Sequence, residues 1–201
     1  MVDAAEWHKK LCYLSENLDD FRNWGFTIYR TAYGPSTDQR WQQLLEKIQT
    51  KAHAATPRVC ETTADDPAVQ QVWSLFRIDA RSDPALDRLS MEQLRLLYKT
   101  GDGSVPMNAN LRSHRVFLLA DGKVLSDADT FLVKCVSADY EAADHVPRNT
   151  WQGGQWYFGW MLMKSAEIVE LWNELEFEDL ERIAPRTVAG RTPEVWESMA
   201  W

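Results

Sequence analysis

The chain has 201 residues, 45% of them hydrophobic and 26% charged, an ordinary balance that gives one domain enough apolar material for a substantial core. Its net charge of -8 and isoelectric point near 5.0 repel polyanions, which excludes nucleic acid and anionic membrane surfaces as partners. No stretch reaches about 18 uninterrupted apolar residues, and residues 1–10 carry acidic groups where a secretory leader needs an apolar core, so a cytoplasmic protein is expected.

The cysteines Cys12, Cys60 and Cys135 are far apart and form no C-x-x-C pair, and the histidines His8, His53, His114 and His145 are equally scattered. No spacing puts two metal ligands on one helix face, so no metal is expected. Asp121, Asp127 and Asp129 lack the glycine and closing glutamate of a calcium loop and read as an acidic turn. Gly101, Gly103, Gly153 and Gly154 match neither dinucleotide-binding nor Walker loops, and no G-x-S-x-G elbow is present. The expected cofactor complement is none.

In chain order, Trp7, Leu11, Leu14 and Leu18 form one apolar stripe and predict an amphipathic helix over residues 1–20. Residues 24–33 alternate Trp24, Phe26 and Ile28 against Thr27, Tyr29 and Thr31 and predict a central strand, stopped by Gly34-Pro35. Ser36 and Gln39 suggest a capping box for a helix with Trp41, Leu44, Leu45 and Ile48 on its buried face. Residues 55–67 read as a loop and candidate lid. Val69, Val72, Trp73 and Phe76 give a further helical stripe, and residues 81–89 a charged helix or turn. Ser90 and Gln93 cap a helix carrying Leu94, Leu97 and Tyr98, which Gly101 ends, and residues 100–110 form a second loop. Strands are then predicted over 114–120, 131–137 and 155–164, followed by a helix from Ser165 with Ile168, Leu171, Trp172 and Leu175 inward. The tail, 185–201, is expected to wrap the surface.

This order predicts a single α+β domain spanning 1–201: a mainly antiparallel four-stranded sheet with helices on one face. Its nearest architectures are ferredoxin-like or dimeric α/β-barrel-like, with inserted helices. The other face then needs cover from inserted loops or a second copy of the chain.

The segment Trp24-Gly-Phe-Thr-Ile-Tyr-Arg30, followed by a Trp-containing helix, resembles the opening of a large group of filamentous-fungal proteins sharing Trp-Gly-Phe/Tyr-x-x-Tyr-Arg. Residues 86–97, 115–121, 133–140 and Gly159-Trp160-Met161 resemble that group's later blocks in the same order. The resemblance implies a fungal intracellular protein, with some relatives encoded beside natural-product genes, and supplies no family chemistry. This chain departs from the group at Ala138-Asp139-Tyr140, where Ala-Asp-Trp is expected.

Candidate catalytic residues follow from residue type and strand position. His114, beside an apolar strand, is a candidate general base because its pKa sits nearest neutrality, and Asp139 at a strand end is a candidate acid or base. Tyr29 and Arg30 on the first strand can hold a developing oxyanion. Trp151, Trp156, Tyr157 and Trp160 supply an aromatic wall for an apolar small molecule, with Lys134 and Arg115 as polar groups set into it. Each has a plain structural alternative, as core aromatic, strand-edge cation or turn cap. The expected function is cofactor-independent small-molecule chemistry of fungal secondary metabolism: an isomerase, epimerase, cyclase or dehydratase. The alternative is a non-catalytic ligand-binding or protein-interaction module that self-associates through the sheet face. Ten tryptophans are unusual for this length, and either reading accounts for them.

Overall fold

The computed structural model describes residues 23–59, 63–101, 103–111, 114–127, 130–146, 155–186 and 194–198. The helix expected over 1–20, Trp151, and the tail apart from 185–186 and 194–198 lie outside them.

Strand β1 (Trp24–Arg30) is buried along its whole length. Helix α1 (Pro35–Val59) starts one residue before Ser36: the N–H groups of Thr37 and Asp38 both donate to the Gly34 carbonyl at 3.0 Å, so Ser36 sits inside the first turn instead of capping it. The helix also runs through the first part of the predicted 55–67 loop, because Ala55 and Thr56 are buried against the core, and that burial outweighs the backbone hydrogen bond that Pro57 forgoes in the last turn. Helix α2 (Pro67–Trp73) is capped by Asp66, whose carboxylate accepts from the Ala68 N–H at 2.9 Å, with proline at its first position.

The next segment corrects the sequence reading. Phe76–Arg81 is a strand, β2, with Phe76, Ile78 and Ala80 alternating with Arg77, Asp79 and Arg81. A 3-10 turn (Pro84–Leu86) leads to helix α3 (Met91–Thr100), whose Ser90–Gln93 capping box forms in both directions. Strand β3 (Val116–Ala120) is followed by a short helix, α4 (Gly122–Ser126), where a turn was predicted; the Asp121 side chain accepts from the Val124 N–H at 3.0 Å and so caps it. Strands β4 (Leu132–Ser137) and β5 (Trp160–Lys164), helices α5 (Ile168–Phe177) and α6 (Leu180–Ile183), and the two-residue strand β6 (Val195–Trp196) complete the described chain.

The expected four-stranded antiparallel sheet is instead six-stranded and mixed, in the order β2-β1-β3-β4-β5-β6. β1 runs parallel to both β2 and β3, β4 pairs antiparallel with β3 and β5, and β6 lies parallel to β5. Parallel neighbours need crossovers, and β1 has one on each side of the sheet. The β1-to-β2 connection carries α1 and α2 over one face, and the β2-to-β3 connection carries α3 over the other. Helices therefore cover both faces rather than one, which is why every residue of β1 is buried.

The larger core packs Trp24, Phe26, Ile28, Leu118, Cys135, Met161 and Met163 against α1, α2 and α5. Three aromatic rings sit at its centre: Trp172 meets Trp24 and Phe26 edge-on at 5.8 and 5.3 Å between centroids, and the Trp24 indole N–H donates to the Val72 carbonyl at 2.8 Å. The smaller core on the opposite face joins Tyr29, Phe117, Leu119 and Val136 to Leu94 and Tyr98 of α3. Among the described residues, no helix is long and apolar enough to cross a membrane.

Candidate functional site

Strand β3 begins, strand β4 ends and strand β5 begins at one end of the sheet, and a cleft of about 210 Å³ opens there, closed on one side by α6. Its walls combine Arg115 and Val116 from the β3 entry with Ser137, Asp139 and Tyr140 from the β4 exit. His145 from a 3-10 turn (Ala142–His145), Tyr157 ahead of β5, and Asp179 and Glu181 at the start of α6 complete it. At about 30 Å³ per water molecule, the space holds roughly seven waters, or a ligand of up to about ten heavy atoms.

Three residues singled out from sequence meet here: Arg115, Asp139 and Tyr157. Arg115 and Asp139 form a two-point ion pair, Nη2 donating to Oδ1 at 3.0 Å and Nε to Oδ2, while Nη1 donates to the Ala109 carbonyl. The Arg115 guanidinium lowers the Asp139 pKa below the usual carboxylate range, and Lys99 Nζ, 3.7 Å from Oδ1, adds to the effect. Asp139 is thus an ionised clamp on Arg115 rather than a proton donor near neutrality. Tyr157 is only 5% exposed, and its hydroxyl has no hydrogen bond of normal geometry, although Ser137 lies close to it. Burial raises its pKa well above the ordinary phenol value, so at neutral pH the group is a proton-bearing donor.

The residues that sequence reasoning missed form the centre of the cleft. His145 stacks on Tyr140 with centroids 4.8 Å apart, meets the Tyr157 ring edge-on at 5.4 Å, and places Nδ1 3.4 Å from Glu181 Oε1. Tyr140 is fixed from behind. The Gln155 side-chain amide donates to its hydroxyl at 2.6 Å, and the Arg95 guanidinium lies 4.8 Å from its ring centroid. Arg95 is itself anchored by donation to the carbonyls of Ser137 and Gly159 at 3.0 and 3.1 Å. Gly159, at φ +76°, leaves the room for this: a Cβ there would fall 2.2 Å from Tyr140 Cγ and 2.6 Å from Arg95 Nη2. One aromatic wall, Tyr140, and a buried arginine therefore depend on the glycine before β5.

The remaining sequence candidates lie elsewhere. Tyr29 packs in the smaller core, edge-on to Phe117 at 5.4 Å. Arg30 braces the corner between β1 and α1, donating to the Ala32 carbonyl, the Thr37 hydroxyl and the Asp38 carboxylate. Lys134 pairs with Asp121 and lies 4.9 Å from the Trp160 ring centroid, so these two candidates do meet, over a hollow of only about 50 Å³. Trp156 is 42% exposed, with the Arg186 guanidinium 5.0 Å from its ring. The aromatic wall expected from Trp156, Tyr157 and Trp160 is thus divided among three places, and Trp151 lies outside the described residues.

His114 is fully buried under α5, with its ring 4.1 Å from that of Trp172 and Nε2 3.0 Å from the Trp172 carbonyl. A carbonyl only accepts, so Nε2 carries the proton of a neutral ring. Burial pushes the pKa from 6.5 down to about 4, against the upward pull of that hydrogen bond. The unfolded chain therefore takes up a proton that the folded state refuses. Stability falls as pH drops from about 6.5 towards 4, by roughly 3 kcal/mol from this group, and levels off below. Urea midpoints at pH 7 and 4.5 should fall further for the natural chain than for His114→Gln; equal falls would remove His114 as the acid-sensitive group.

Compared with known protein families, curated proteins and solved structures, the chain matches none. Among the described residues no group of three histidine, cysteine, aspartate or glutamate side chains is arranged to hold a metal.

Proposed function

We propose that the chain is a small-molecule enzyme of the isomerase, epimerase, cyclase or dehydratase kind, moving a proton between His145 and a substrate held in the cleft. The observation that carries this reading is the His145–Glu181 contact at 3.4 Å inside a cavity walled by Tyr140 and Tyr157. A carboxylate beside Nδ1 orients an imidazole and leaves Nε2 as the nitrogen that exchanges a proton with substrate. The N–H groups of Arg115 not used on Asp139 and Ala109 are donors for the oxyanion that forms when a proton leaves carbon beside a carbonyl. Asp139 is a positioning residue in this scheme, acting only through Arg115.

The test is solvent exchange. Small carbonyl compounds are incubated with the protein in heavy water, and deuterium entering the carbon next to the carbonyl is followed by NMR. His145→Asn should slow the catalysed exchange by about 10²–10⁴-fold, the usual contribution of a positioned acid or base. Exchange by a folded His145→Asn protein at the natural rate would overturn the assignment. The rival reading, a non-catalytic module, draws on the half-buried Leu132, Trp160 and Leu162 on the sheet face beyond α3. It is favoured if the protein dimerises with rising concentration and no carbonyl compound exchanges.

A further inference from the structure

The Gln155 side chain fixes the direction of the hydrogen bonds around Tyr140. Its Nε2 lies 2.7 Å from the Tyr157 carbonyl oxygen and 2.6 Å from the Tyr140 hydroxyl. A carbonyl only accepts, so the atom facing it has to be the amide nitrogen, and that nitrogen directs one hydrogen to each of the two oxygens. The Tyr140 oxygen is therefore an acceptor towards Gln155, and its own proton is left to be donated elsewhere. Among the described residues that hydroxyl reaches no acceptor. An oxygen that already accepts a hydrogen bond donates a stronger one, because each bond in a chain polarises the next.

The rest of Tyr140 is already engaged. Its ring stacks on His145, carries the Arg95 guanidinium 4.8 Å from its centroid, and sits tight against Gly159. The side chain is half-buried and lines the cleft, so the hydroxyl is what it has to offer a ligand there. Tyr157, the other phenol of the cleft, has its hydroxyl enclosed beside Ser137 and does not compete for that part. We infer that Tyr140 donates its hydroxyl proton to a carbonyl-type oxygen of a cleft ligand, and that Gln155 is the positioning residue that keeps this proton free for the ligand. This rests on reading the cleft as the ligand site, and it adds to Arg115 a second donor for the oxygen on which negative charge collects. It does not depend on proton transfer by His145.

Two probes of the same shape isolate the oxygen: acetophenone, and α-methylstyrene, in which a methylene group replaces that oxygen. Binding of each to the full chain is followed by NMR, and the quantity read is the ratio of the two affinities, in which apolar burial common to both probes cancels. Tyr140→Phe keeps the ring, its stack on His145 and its contact with Arg95, and removes only the hydroxyl. It should shift the ratio against acetophenone by about fivefold, the scale of one neutral hydrogen bond. Gln155→Glu puts an acceptor where the donor stood, so the Tyr140 proton is drawn to position 155 and the ratio should move the same way by a similar factor. The inference is overturned if neither probe binds, if Tyr140→Phe leaves the ratio within about twofold of the natural chain, or if Gln155→Glu does not follow Tyr140→Phe. A ratio that depends on Tyr140, with no His145-dependent exchange, would sink the catalytic reading alone. His145-dependent exchange with an unchanged ratio would sink this one alone.

Discussion

Trp172→Ala is expected to lower the unfolding free energy by about 3–5 kcal/mol, the range found when a fully buried large aromatic is truncated to alanine. Trp172 is 1% exposed. Its ring meets Trp24 and Phe26 of β1 edge-on and lies against His114 at the entry to β3, while its carbonyl holds His114 Nε2. Removing it leaves a cavity where α5 packs on the sheet, and two of the rings around that cavity, Trp24 and His114, are tied to the carbonyls of Val72 and Trp172, which limits how far the site can close. For a chain of this size the loss corresponds to a fall in Tm of roughly 6–20 °C. Trp172→Phe, which keeps an edge-on partner for Trp24, should cost clearly less. A Tm for Trp172→Ala within about 2 °C of the natural chain would show that α5 is not held by this cluster.

The centre of this core was legible from sequence because its pattern is local. The alternation of Trp24, Phe26 and Ile28 identifies β1 and its faces, the spacing of Ile168, Leu171, Trp172 and Leu175 identifies the buried side of α5, and the Ser90–Gln93 box marks the start of α3. β2 was illegible for the opposite reason. Every second residue in it is charged or exposed, as suits the edge of a sheet, and Phe76 also extends the helical spacing of Val69, Val72 and Trp73. Once β2 is missed, the parallel pairing of β1 on both sides cannot be inferred, and with it goes the crossover that carries α3 to the second face. β6 is two residues long and owes its position to pairing with β5 rather than to its own composition.

The cleft was legible in part. Arg115, Asp139 and Tyr157 were found because each is a polar or aromatic group at the end of a predicted strand, and strand ends converge there. His145 and Glu181 are 36 positions apart and give no motif, so only the packing of α6 against the end of the sheet brings them together. His114 misled because a histidine beside an apolar strand satisfies two descriptions, a base in a pocket and a ring in the core, and strand periodicity does not reveal that α5 lies over it. Tryptophan was the wrong guide to the site for a similar reason. Large rings are drawn to the core of β1 and α5, whereas the cleft is walled by tyrosine and histidine, which have polar atoms to offer a ligand.

Gly25→Ala should be strongly destabilising. Gly25 stands second in the Trp-Gly-Phe opening of β1, opposite Arg77 of β2, with φ at +121°. A Cβ there would lie 2.0 Å from the Arg77 carbonyl oxygen and 3.0 Å from its carbon, both backbone atoms that no rotamer change can remove. The methyl is accommodated only if β2 moves away from β1, and β1 is also held at this point by the Asn108 side-chain amide, which donates to the Gly25 carbonyl at 2.8 Å. Backbone strain of about 1–3 kcal/mol adds to an overpacking cost of similar size, for a total of roughly 2–6 kcal/mol. Gly122→Ala is the matched control, since its Cβ would meet only the Ala32 methyl at 3.7 Å in the first turn of α4, and it should be neutral or stabilising by up to about 1 kcal/mol. Urea unfolding of the two variants separates a specific clash from a general dislike of alanine for glycine. Equal midpoints would mean that β2 can yield at Arg77 and that the glycine of the opening motif is not set by the β1–β2 contact.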